Sequence, residues 1–237
     1  MNMQTNDNQQ LQALSREQLQ VFLSGRFGDG TITTTNSNST YYKTNCKFRE
    51  YLEYKQKLLG SMSKDITYLE ENGYCKTPIY NLRSCSSNVL KYIKELPLEE
   101  VLNMLDDLGI ALWIYDDGSL HKSNLFYNIN TQALSKEFQE EHLIPFFNKW
   151  NIFPKLQVEN KKDGKQYWYL RVPKYEGAAE ISKILDKYPI DCYSYKRWSS
   201  ETIQKWSKLQ EQLKSQGKST SDFKPYSLGC MMKKIDL

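Results

Sequence analysis

The chain has 237 residues, 39% of them hydrophobic and 25% charged, and a net charge of +4. That length allows one sizeable domain or two small ones. No apolar run approaches the ~20 residues of a membrane span, so no membrane partner is expected, and five cysteines without a CxxC pair argue against a zinc site or disulfide framework.

The polar N-terminus "MNMQTNDNQQLQA" has neither signal-peptide nor transit-peptide character. Residues 1–13 read as disordered, and the protein is expected to be soluble and intracellular, in bacterial or phage cytoplasm or an organelle matrix, and not secreted. Order begins at "LSREQL". Ser15 and Gln18 have capping-box spacing, and Leu19, Phe22 and Leu23 recur at i, i+3, i+4. This helix should run to Asp29 and end at Gly30. "TITTT" and "YYKTNCKFRE" then read as a hairpin around "NSNST". "REYLEYKQKLLGSM" is an amphipathic helix closed by Gly60. "DITYLEENGYCKTPIYNLRS" gives a strand pair about the turn Asn72-Gly73. "SSNVLKYIKELP" is a helix stopped by Pro97, and "LEEVLNML" follows it.

From there the order of elements recurs. Asp106 is the expected N-cap of "DLGIALWIYDDG". "SLHKS" and "NLFYNINTQ" are strands, "SKEFQEEHLIPFFNKWNI" a helix capped by Ser135, "KLQVEN" and "QYWYLRVP" a hairpin, and "EGAAEISKIL" a helix. The reading divides the chain into 1–13, a first repeat at 14–97, a second at 98–197, and a basic, partly helical tail at 198–237 that ends in a polar stretch. Residues 1–190 hold as many acids as bases, so residues 191–237, the tail and the few residues before it, supply the whole +4. A basic tail on a neutral body suits a polyanion partner or simple solubility.

The segment "FLSGRFGDG" is not a phosphate loop, because such loops follow a strand and open a helix. Here the glycines close a capped helix, and "IALWIYDDG" repeats the design 88 residues later. Small residues (Ser24, Gly28, Ala111) let two helices cross closely, which would bring Asp29 and Asp117 together. Two carboxylates at two helix C-termini repel without a cation. With the carbonyls of Gly28 and Asp116, they form a hard-oxygen set suited to Mg2+, two or three ions shared between Asp29 and Asp117. Taken alone, either Asp-Gly pair reads as a turn after a helix. Their recurrence at matching places favours the cation site.

The two segments resemble the paired signatures of the LAGLIDADG homing endonucleases, in the monomeric two-repeat type. The resemblance covers roughly residues 14–197. It implies an α+β fold of two pseudo-twofold related αββαββα repeats whose antiparallel sheets form a saddle over DNA. It also implies a site-specific double-strand DNA endonuclease, acting as a monomer on a long asymmetric site, with Asp29 and Asp117 as metal-binding acids. Lys94 in "KELP" and Lys196 in "YSYK" match the places of two further catalytic lysines. An intron RNA maturase or a non-cleaving DNA-binding protein on the same scaffold is the alternative. Arg26 and Ser24, and the bulk of Leu112 and Tyr115, depart from the family pattern. Arg26 could snorkel past the core or pair with Asp106 or Asp107.

A two-stranded ribbon fits the major groove. The candidate DNA-reading residues are Thr33, Thr35, Tyr41, Lys43, Asn45, Lys47 and Arg83 in the first repeat. In the second they are His121, Ser123, Asn128, Asn130, Gln132, Lys155, Gln157 and Arg171. A solvated sheet face would use the same residue types.

Overall fold

The computed structural model describes residues 11–70, 78–121, 125–161 and 164–236. The Asn72-Gly73 turn, Ser123 and residues 1–10 lie outside them. Contacts divide the chain into two compact units. One ends at Asp117 and takes in Ile190–Cys192; the other is Gly118–Pro189 with Tyr193–Leu237.

The first unit opens with α1 (Arg16–Gly25), where Ser15 and Gln18 form the expected capping box. The helix ends at Gly25, earlier than the sequence suggests. The N–H groups of Phe27 and Gly28 both donate to the Ser24 carbonyl, at 3.0 and 2.9 Å, which tightens one further turn before the chain leaves for the sheet. Strands β1 (Gly30–Thr34), β2 (Thr40–Cys46), β3 (Thr67–Leu69) and β4 (Ile79–Arg83) form an antiparallel sheet in the order β1-β2-β4-β3. Between β2 and β3, α2 (Arg49–Leu59) stops at Gly60, whose φ of +53° suits a residue without Cβ. Helices α3 (Asn88–Glu95), α4 (Leu98–Asn103) and α5 (Asp107–Asp117) complete the unit. Alternation sorts the strands as expected: Tyr42, Thr44 and Leu82 are buried, whereas Asn45 and Arg83 are exposed. Asp106 caps α5 by accepting from the N–H groups of Leu108 (2.9 Å) and Gly109 (3.2 Å).

The second unit repeats the topology. Strands β5 (Gly118–His121), β6 (Phe126–Ile129), β7 (Lys155–Asn160) and β8 (Gln166–Val172) are ordered β5-β6-β8-β7. Strand β6 ends at Ile129, so Asn130 and Gln132 lie in the turn beyond it. Ser135 caps α6 (Lys136–Phe138), which continues through a π-helical turn at Gln139–Leu143 into α7 (Ile144–Lys149). The buried Gln139 amide binds the carbonyls of Thr131, Leu134 and Trp168, which holds that turn in place. Helix α8 (Tyr175–Lys187) packs on β6.

The tail differs from expectation. After α9 (Ser200–Ser215) it forms another helix, α10 (Pro225–Met232), rather than a plain polar stretch. Trp206, Leu209 and Leu213 of α9, with Leu228 and Met232 of α10, are buried. Trp206 stacks on Tyr175 at 5.6 Å. No described helix is long and apolar enough to cross a membrane.

Candidate active site at the paired helix ends

Helices α1 and α5 pack against each other within the first unit, and their sequences show why they approach so closely. Gln20 is buried; its amide donates to the Met104 carbonyl at 3.0 Å, and its oxygen accepts the Asp106 N–H at 3.1 Å. That oxygen sits where a Cβ on Gly109 would stand. Phe27, two residues past the end of α1, stacks at 4.8 Å on Trp113, one turn before the end of α5. At the ends, a Cβ on Gly28 would fall 2.5 Å from Asp116 Oδ2. Of the small residues expected to let the helices approach, Gly28 does so against Asp116, and Gly109, not singled out in the sequence, does so against Gln20.

Convergence leaves the acids in different surroundings. Asp29 is exposed and Asp117 half-buried. The Asp116 side chain is fully buried and already saturated. Its Oδ1 accepts from Tyr51 Oη at 2.6 Å and Lys55 Nζ at 2.9 Å. Its Oδ2 accepts from Lys55 Nζ at 3.0 Å and the Asp29 N–H at 3.2 Å. Only the main chain of Asp116 reaches solvent, so its carbonyl, not its carboxylate, can join a metal site.

Lys55, which the sequence reading does not single out, belongs to the site. It is fully buried, with its ammonium 4.5 Å from the Tyr51 ring centre. Burial alone would lower its pKa. The Asp116 charge and its hydrogen bonds, with the Asp29 charge, overcome that and raise it, so Lys55 stays an ammonium. One weak signal exists: Lys55 shares the stripe Tyr51, Leu52, Lys55, Leu59 on the buried side of α2. Its partner lies 61 residues away, beyond any local pattern.

Among the described residues, no three His, Cys, Asp or Glu side chains gather as a metal cage. The donors fit a small hard cation nonetheless. Mg2+ is usually held by one or two carboxylates and keeps several waters or substrate phosphates. Asp29 and Asp117 with the Gly28 and Asp116 carbonyls meet that description.

The lysines at the other implied catalytic positions each have surroundings of their own. Lys94, exposed at the end of α3, donates to Thr34 Oγ1 at 3.2 Å. Thr34 is four residues along β1 from Gly30, about 13 Å of strand. The structure therefore does not bring Lys94 to Asp29. Lys196, in the second unit, is buried with its ammonium 4.7 Å from the Tyr193 ring centre. Its carbonyl accepts from Tyr127 Oη at 2.6 Å. Arg26 does neither of the things weighed for it. Its guanidinium donates to the Ile93 and Leu96 carbonyls and so caps the C-terminal end of α3. Desolvation lowers its pKa. Asp106 and Asp107 are bound by Arg16 instead.

The sheet faces carry the expected polar rows. In the first unit Lys43 pairs with Arg83 and Thr33 with Tyr41, and the Arg83 guanidinium lies 5.4 Å from the Tyr41 ring centre. Asn45 is held by Asn81 at 2.6 Å. Thr35 bonds Ser37 and Ser39 inside the hairpin loop, and Lys47 covers Phe48. In the second unit Asn128, Arg171 and Lys155 lie side by side on neighbouring strands. Arg171 is fixed by Asn128 and Tyr169, each at 2.9 Å. Gln157 pairs with Tyr169, and His121 stacks on Phe126 at 4.6 Å.

Comparison with known proteins gives a family and similar folds. The family model described as "LAGLIDADG DNA endonuclease family" matches residues 26–179. The homing endonuclease I-WcaI, solved bound to its DNA recognition sequence, has a similar fold. Its TM-score is 0.64 at 19% identity, covering 78% of this chain and 87% of that one. A variant of I-DmoI in complex with its nicked target DNA and Mn gives a TM-score of 0.49 at 12% identity, over 74% of this chain and 99% of that one. No curated protein matches the sequence.

Proposed function

The chain belongs to the LAGLIDADG DNA endonuclease family, and on that premise we propose that it is a metal-dependent, site-specific endonuclease of double-stranded DNA. The observation that carries this reading is the exposed Asp29 at the end of α1, joined through its main chain to the end of α5, where Asp117 follows Asp116. Bound there, Mg2+ would polarise the phosphodiester and lower the pKa of an attacking water. Asp29 and Asp117 hold the ions, with the Gly28 and Asp116 carbonyls completing the protein's share. The packing of α1 on α5 fixes the spacing of these donors before DNA arrives. Because Lys94 stands at the far end of β1, its role is on the DNA phosphates, where a positive charge offsets the charge that develops on cleavage. Lys196 is proposed for the same task in the second repeat. The polar rows of the two sheets read base edges in the major groove, with Lys43, Arg83, Lys155 and Arg171 as the cationic members. One chain carries both acids, so a monomer suffices for both strands.

The target can be recovered from a randomised duplex library incubated with the protein and Mg2+. On that target, Asp29→Asn and Asp117→Asn are each expected to lower cleavage by on the order of a thousandfold while binding in Ca2+ persists. Full cleavage by both variants would overturn the assignment. Tight binding of an intron RNA with no cleavage of any duplex would favour the maturase reading.

A further inference from the structure

Lys55 and Asp116 form a buried ion pair directly beneath the proposed metal site, and neither side chain is exposed. Two features show what the pair does there. First, the two Asp116 oxygens receive donors from three directions: Lys55, the Tyr51 hydroxyl and the Asp29 N–H. Second, the site is asymmetric. The residue before Asp29 is Gly28, and the space its side chain would fill is taken by the Asp116 carboxylate. One buried carboxylate thus serves both helix ends, and Lys55 from α2 supplies its counter-charge. Without that ammonium, Asp116 would be an uncompensated third carboxylate next to Asp29 and Asp117. Divalent-cation affinity rises with the number of ligand charges, so the cation itself would be drawn to neutralise it.

We propose that Lys55 is the fixed counter-ion of Asp116 and keeps its carboxylate out of the ligand set of a cation held by Asp29 and Asp117. Lys55 is therefore a positioning residue, and Asp116 anchors the Asp29 main chain instead of binding metal. The inference rests on the metal-site reading above.

The test is a Mn2+ titration of the full chain without DNA, with free Mn2+ read by electron paramagnetic resonance and the fold checked by circular dichroism. Lys55→Met is expected to bind Mn2+ roughly tenfold more tightly than the unmodified chain. Lys55→Met/Asp116→Asn, which removes both charges, is expected to lose that gain. Equal affinities in the single and double variants would overturn the proposal. The double variant leaves no buried charge unpaired and should bind Mn2+ as the unmodified chain does. A clear loss there would make the Asp116 carboxylate a ligand and also overturn the proposal. Asp29→Asn separates the two readings. Mn2+ binding retained in that variant would sink the metal-site reading, while the comparison of Lys55→Met with the double variant still reports on Asp116.

Discussion

Gly28 shows how one residue can be set by the chemistry of another. No backbone strain requires a glycine here; the space is already occupied by the Asp116 carboxylate. In Gly28→Ala the new Cβ would lie 2.5 Å from Oδ2 and 2.8 Å from the Asp116 Cβ. Asp116 cannot swing away without leaving Lys55 buried and unpaired. The expected cost is about 1–3 kcal/mol, as for overpacking elsewhere, read as a lower midpoint in thermal or urea unfolding. An unchanged midpoint would mean the two helix ends part more easily than their contacts suggest. At this scale the sequence is partly legible. Acid-Gly endings repeated at one interval identify Asp29 and Asp117 without any coordinates. The roles of Asp116 and Lys55 are not legible, because a lysine on an apolar stripe reads as a snorkelling surface residue. Only the fold shows that no solvent lies above it. Arg26 is hidden for a similar reason, since its acceptors are main-chain carbonyls, which any sequence supplies.

Among the elements, the crossing of α1 and α5 depends on one polar side chain as much as on apolar packing. Gln20 closes the gap between the helices by bonding the Met104 carbonyl and the Asp106 N–H. Gln20→Leu keeps the approximate volume but leaves both main-chain groups without that partner. The expected cost is about 2–3 kcal/mol, measured by urea unfolding. The Asp106 cap on α5 should make part of that cost shared: Gln20→Leu and Asp106→Ala are expected to be non-additive in a double-mutant cycle, since both act on the first turn of α5. Strict additivity would show that the two interactions are independent. Helix and strand identities are readable from the sequence because each run has a clean period and flanking punctuation, such as Ser15 before α1, Ser135 before α6 and Gly60 after α2. Boundaries are less readable where tertiary packing sets them. The end of α1 depends on two N–H groups sharing the Ser24 carbonyl, and the π-helical turn depends on Gln139 meeting carbonyls from two other segments. Neither leaves a mark in local composition.

Across the whole molecule, the internal repeat is the most legible feature, because two sheets with the same strand order need the same succession of hydrophobic runs. The tail is the least legible, because its charge masks its packing. Seven lysines suggest a solvated arm, yet they lie on or beside two helices whose inner side is apolar. Trp206, Leu209 and Leu213 recur at helical spacing, and with Leu228 and Met232 they are at most 5% exposed. Trp206 closes over Tyr175 and Trp198, its ring centroid 5.6 Å from Tyr175 and 6.3 Å from Trp198. Each fully buried side chain of this size contributes about 1.5–3 kcal/mol, so the tail is a structural part of the second unit. Ending the chain after Ser199 should therefore lower the unfolding midpoint and raise binding of a hydrophobic dye, because Tyr175 and Trp198 become exposed. Replacing the exposed lysines Lys208, Lys214, Lys218 and Lys224 with glutamine should leave the midpoint nearly unchanged. If these lysines neutralise phosphates, that variant's DNA affinity will fall less steeply with salt, by roughly one unit of slope for each phosphate left without its lysine. A truncated chain that keeps the full midpoint would return the tail to the status of a solvated arm. A lysine variant with an unchanged salt slope would show that these four lysines neutralise no phosphate.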